Sequence, residues 1–88
     1  MKAAIITGAT KGIGRATAIE LAKNGYDIIA GARNEQELQQ LTVELKAYNV
    51  NVLALKVDFS DKAQVIAFVE KALGFAKDVH VLVNNVGS

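Results

Sequence analysis

At 88 residues, with 51% hydrophobic and 22% charged side chains and a formal net charge of +1, the chain has the composition of a globular domain, not of a disordered tail or a membrane span. The near-neutral balance carries no electrostatic footprint for nucleic acid or acidic lipid, and the absence of cysteine excludes disulfides and thiolate chemistry. The one histidine, His80, opens an apolar run, where a strand-end or surface position is expected and no metal site.

The first apolar run, Ala3, Ala4, Ile5 and Ile6, reads as a strand that Thr7-Gly8 interrupts. It is far shorter than a signal-peptide core or a membrane span, so a cytoplasmic protein is expected. Thr7-Gly8-Ala9-Thr10-Lys11-Gly12-Ile13-Gly14 follows, and Ala16, Ile19 and Ala22 then recur at helical spacing up to the stop signal Asn24-Gly25. A second strand is predicted over Ile28 to Ala32. Asn34 is placed to cap a second helix, with Glu37 as its capping-box partner and Leu38, Leu41 and Leu45 on the inner face. A third strand is predicted from about Val50 to Val57. A third helix is predicted from Asp61, with Gln64 as cap partner, Val65, Phe68, Val69 and Ala72 as the buried stripe and Gly74 as the stop. Val79, His80, Val81, Leu82 and Val83 form a fourth strand that runs into the polar turn Asn84-Asn85-Val86-Gly87.

Strands that alternate with helices and are apolar on successive residues imply an α/β fold, with a parallel sheet covered on both faces. Right-handed crossovers then predict a Rossmann-like order 3-2-1-4, with the ligand crevice at the carboxyl ends of strands 1 and 4, where the order reverses.

The glycine loop sits where a strand hands over to a helix. Glycine serves there for a tight turn, for close approach to a pyrophosphate and for helix–strand packing, and the first N–H groups of the helix face the anion. Glycines also serve turns that bind nothing, so the loop alone leaves both readings open. Its spacing, Gly-x-x-x-Gly-x-Gly, differs from Gly-x-Gly-x-x-Gly, and no Lys-Ser or Lys-Thr pair completes a nucleoside-triphosphate loop, which argues against an ATPase or GTPase.

At four places the chain resembles the short-chain dehydrogenase/reductase family, and the resemblance runs over its whole length. The loop from Thr7 to Gly14 is similar to the family's cofactor loop, which implies contacts from Gly8, Thr10, Gly12, Ile13 and Gly14. At the end of strand 2, where members using NAD usually carry an aspartate for the ribose 2′-hydroxyl, this chain has Ala32 followed by Arg33. Lys11 and Arg33 are two cations able to converge on a 2′-phosphate, which favours NADP(H) over NAD(H) by roughly 3 kcal/mol, about a hundredfold. The alternative is that both are solvated loop charges. Val57-Asp58-Phe59-Ser60-Asp61 is similar to the family's Asp-x-Ser/Thr segment, which implies that Asp58, beside Phe59, accepts from the adenine amino group. Asp58 or Ser60 could instead help cap the next helix. Asn84-Asn85-Val86-Gly87 is close to the family's Asn-Asn-Ala-Gly turn, with Val86 in place of alanine, and implies that the asparagines hydrogen-bond the backbone of strand 1 near Thr7.

The family's reaction is hydride transfer between a nicotinamide and a carbonyl or alcohol, with a tyrosine acid/base, a lysine four residues on and a serine. Tyr26 is followed at that spacing by Ala30 and Tyr48 by Val52, and the serines are Ser60 and Ser88, both in turns, so no catalytic residue is assigned. Arg15, Tyr26, Tyr48, Phe68 and Phe75 are expected as surface or packing residues. The expectation is one partial NAD(P)-binding domain over 1–88, the first part of a reductase whose catalytic half would follow Ser88. The alternative is a noncatalytic nucleotide-binding or dimerisation module. Strand 4 would then be an open apolar edge, which further chain covers or a second copy pairs with as a homodimer.

Overall fold

The computed structural model describes residues 2–76 and 78–84. Seven elements alternate along the described residues: β1 (Ala3–Thr7), α1 (Gly12–Lys23), β2 (Asp27–Ala32), α2 (Glu35–Lys46), β3 (Val52–Lys56), α3 (Lys62–Phe75) and β4 (Val79–Asn84). The strands form a parallel sheet in the order β3-β2-β1-β4, as the crossover argument requires.

Two apolar layers hold the helices on. On one face, Ala18 and Ala22 of α1 and Leu38, Leu41 and Leu45 of α2 pack on Ala4, Ile6, Ile28 and Ala30. On the other, Phe68 and Ala72 of α3 pack with Ile29 and Val57. Each fully buried Ile6, Ile28, Ile29, Leu41 or Leu45 contributes roughly 1.5–3 kcal/mol through area removed from water.

α1 meets the sheet through small residues. Gly14, Ala18 and Ala22, spaced by four, form its buried seam, while Ala16 is exposed. At 100° per residue, a side chain two positions away lies on the far side of the helix, so the predicted stripe through Ala16 is corrected to this seam. Asn24 caps the end and Gly25 takes a φ of 85°, as the stop signal predicted. On α2 the predicted leucines are all buried, and the Glu37 N–H donates to Asn34 Oδ1 at 3.0 Å. The Glu37 carboxylate, however, does not complete the capping box; it accepts from Thr10 on the glycine loop.

Three further expectations change on α3 and the sheet. Gly74 does not stop α3, which continues to Phe75 before Ala76 leaves in an extended conformation. Val69 is exposed, because among the described residues one helix alone covers this face and its flank looks into solvent. For the same reason the described residues cover β4 on one face only: Val81 and Val83 pack against the core, whereas His80 and Leu82 are exposed, Leu82 by 68%.

One buried polar contact sets the β2–β3 register. Asp27, 8% exposed, accepts the Asn51 backbone N–H at 2.9 Å and the Asn51 side-chain amide at 3.4 Å just before β3 begins. Asp27→Ala leaves that part-buried N–H without its acceptor. It should lower the unfolding free energy by about 0.5–1.5 kcal/mol, read as a fall in the urea midpoint, with Asp27→Asn falling less because one acceptor remains.

Candidate functional site

Every predicted cofactor residue that lies among the described residues comes to one edge of the sheet, the carboxyl ends of the four strands. Val86 and Gly87, with Asn85, lie outside the described residues.

The centre of the site is the turn between β1 and α1. Gly8 and Gly12 adopt φ of 62° and 54°, a left-handed backbone that side chains disfavour, so the loop depends on glycine at both. The Ala9 N–H donates to the Gly31 carbonyl at 3.3 Å and ties the loop to the end of β2. Lys11 is the N-cap residue, yet no side chain caps α1 and its first turn carries no acid. The positive end of the helix dipole therefore faces outward with its amide donors open to an anion. A Cβ built on Gly12 meets nothing within 4 Å, so the outer face of the loop is open. Gly14 is buried against the sheet, and Ile13 is 74% exposed beside the opening.

Around this turn stand the other strand ends. Arg33 follows β2 and is exposed, as is Lys11, and neither forms an ion pair among the described residues. Arg15, expected only at the surface or in packing, is paired with Glu44, which links α1 to α2. After β3, Asp58 Oδ1 accepts both the Ser60 hydroxyl at 2.7 Å and the Ser60 N–H at 2.9 Å. Those two bonds from Ser60 hold the Asp58 carboxyl below the usual carboxylate value; desolvation opposes them and the Arg33 charge adds to them. A lowered pKa means the turn is fully formed above the ordinary carboxylate range and loosens only as pH falls through the depressed value. Asp58 does not cap α3: Asp61 does, accepting from the N–H groups of Ala63 and Gln64. Gln64 in turn accepts from the Asp58 N–H and donates to Asp61 Oδ2.

Phe59 packs edge-to-face on Phe68, with centroids 5.5 Å apart at 79°, directly over Gly31. At the end of β4, Asn84 Oδ1 accepts the Thr7 hydroxyl at 3.0 Å, so Asn84 is linked to β1 through the Thr7 side chain, where a bond to the β1 backbone was expected. Sequence reading missed Glu37, whose Oε1 accepts the Thr10 hydroxyl at 3.1 Å. These residues are 27 positions apart and no local pattern connects them.

Residues 2–88 match the profile of the short chain dehydrogenase family, and the chain belongs to that family. The L-rhamnose 1-dehydrogenase (NADP(+)) of Thermoplasma acidophilum is 42% identical over 87 residues, 98% of this chain and 34% of that protein. Among solved structures, L-sorbose reductase from Gluconobacter frateurii, complexed with NADPH and L-sorbose, superposes with a TM-score of 0.92 at 38% identity. The match covers 99% of this chain and 34% of that one. An NAD+-bound xylitol dehydrogenase superposes with a TM-score of 0.93 at 28% identity, over 99% of this chain and 34% of that one. The chain thus spans about a third of the length of these relatives. The family and fold are those of nucleotide-binding oxidoreductases, and relatives holding either nicotinamide dinucleotide share this fold. No helix among the described residues is long and apolar enough to cross a membrane.

Proposed function

We propose that this chain binds NADP(H) in preference to NAD(H), and forms the cofactor-binding part of a cytoplasmic oxidoreductase acting on a carbonyl/alcohol pair. The observation that carries the preference is the pair of exposed cations, Lys11 and Arg33, beside an uncapped helix N-terminus, with Ala32 where a ribose-binding acid would stand.

In this reading Gly8, Gly12, Ile13 and Gly14 give the pyrophosphate a close backbone approach, and the α1 amides donate to it. Lys11 and Arg33 receive the 2′-phosphate. Asp58 and Phe59 lie beside the adenine, while Asn84, with Val86 and Gly87 beyond it, borders the adenosine. The bound nicotinamide supplies or accepts the hydride. Tyr26 and Tyr48 both lack a lysine four positions on, so the acid/base work is assigned to none of these 88 residues. They are read as one dinucleotide-binding unit.

Fluorescence titration with NADPH and with NADH tests the preference. Saturable NADPH binding, tighter than NADH by about one to two orders of magnitude, is expected from two charge-assisted contacts. Equal affinities would refute the preference, and no binding of either dinucleotide would refute the function.

A further inference from the structure

The Glu37 carboxylate stands at the mouth of this site, held there by the loop itself. Thr10 donates its hydroxyl proton to Glu37 Oε1 at 3.1 Å, and the Glu37 backbone is fixed in turn, because its N–H donates to Asn34 Oδ1 at 3.0 Å. The side chain is half-buried between the glycine loop and the first turn of α2. Thr10 precedes Lys11, and Asn34 follows Arg33, so Glu37, through its carboxylate on one side and its backbone N–H on the other, bridges the two segments that carry the exposed cations.

This arrangement changes what the loop offers a ligand. A hydroxyl has one proton. While Thr10 gives it to Glu37, Thr10 presents only lone pairs, and a phosphate oxygen, itself an acceptor, gains nothing from it. A ribose hydroxyl can donate to Thr10 Oγ1 or to the carboxylate. Charge acts in the same sense: a carboxylate beside a phosphate repels it, and beside a neutral hydroxyl does not.

We propose that Glu37 is a specificity-determining residue for the dinucleotide, clasped to the glycine loop by Thr10 so that it tempers the preference of Lys11 and Arg33 for a 2′-phosphate over a 2′-hydroxyl. This rests on the reading that NADP(H) binds between those cations. The acid absent from the end of β2 is supplied, in weakened form, from the first turn of α2.

Glu37→Gln tests it, because the amide oxygen still accepts from Thr10 while the charge is gone. With the full chain, NADPH and NADH are titrated separately at low and at moderate salt, and the melting temperature is followed alongside. The NADPH-to-NADH affinity ratio should rise roughly three- to tenfold at low salt, the size expected of one charge acting on a nearby dianion in water-like surroundings, and the rise should shrink as salt is added. Glu37→Lys should raise the ratio further. An unchanged ratio in both variants, or equal losses of both affinities that track the melting temperature, would overturn the inference and leave Glu37 a structural clasp. A wild-type chain that binds neither dinucleotide would instead refute the parent reading, and this one with it.

Discussion

Replacing Lys11 and Arg33 together by alanine is expected to weaken NADPH binding about a hundredfold while NADH changes by less than about twofold. Both side chains are exposed and neither is engaged in an ion pair among the described residues, so the substitutions remove no intramolecular ion pair and should leave the melting temperature nearly unchanged. Each charge-assisted contact is worth on the order of 1.5–3 kcal/mol, and exposure places the pair toward the lower end of its sum. Direct titration of both cofactors reads the result. Equal losses for NADPH and NADH would mean that the two cations act on the shared pyrophosphate, and the preference would need another source. Arg33 also helps keep the Asp58 carboxyl low, after the two bonds from Ser60, so the same variant should let the Asp58 pKa rise toward its ordinary value.

The largest stability effect is expected at Gly31, in the middle of the sheet between Thr7 of β1 and Leu55 of β3. A Cβ there would lie 2.8 Å from Phe68 Cε1 and 2.9 Å from Phe59 Cζ, closer than real carbon contacts come. Phe59 is half-buried and can swing aside, but Phe68 is buried against Ile29 and Val57 and has little room to move. Gly31→Ala gains about 0.4–1 kcal/mol by stiffening the unfolded chain, and loses about 1–3 kcal/mol to overpacking. At mid-range the net loss is about 1.3 kcal/mol, and a fall in melting temperature of roughly 5–10 °C should follow for a domain of this size. Gly31→Val should fall further, and Phe59→Ala in the Gly31→Ala background should recover part of the loss. Because the Gly31 carbonyl also holds the Ala9 N–H, the strain should reach the glycine loop and weaken NADPH binding as well. A melting temperature equal to wild type would show that the aromatic pair yields freely.

The fold was legible wherever a signal is local. Leu38, Leu41 and Leu45 announce a helix face by spacing alone, Asn24-Gly25 announces an end, and crossover handedness orders the sheet. It failed where the outcome depends on what lies opposite. Whether Val69 or Leu82 is covered depends on how many helices share a face, and Gly74 continues a helix because nothing at that point demands a left-handed residue. In the site, the glycines and Asn84 could be placed from the family's motifs, whereas the Thr10–Glu37 clasp and the crowding over Gly31 arise from side chains that meet only after the sheet has formed.

The bond between Thr7 and Asn84 joins positions 77 residues apart and fastens β4 beside β1, the strand made first. During synthesis at about 5–20 residues per second, one flank of β1 therefore waits roughly 4–15 s for its neighbour. Over that interval the nascent chain displays an apolar strand with unused hydrogen-bonding groups, open to the wrong partner. The strand order that reverses at β1 thus also sets how long that flank stays open while the chain is being made.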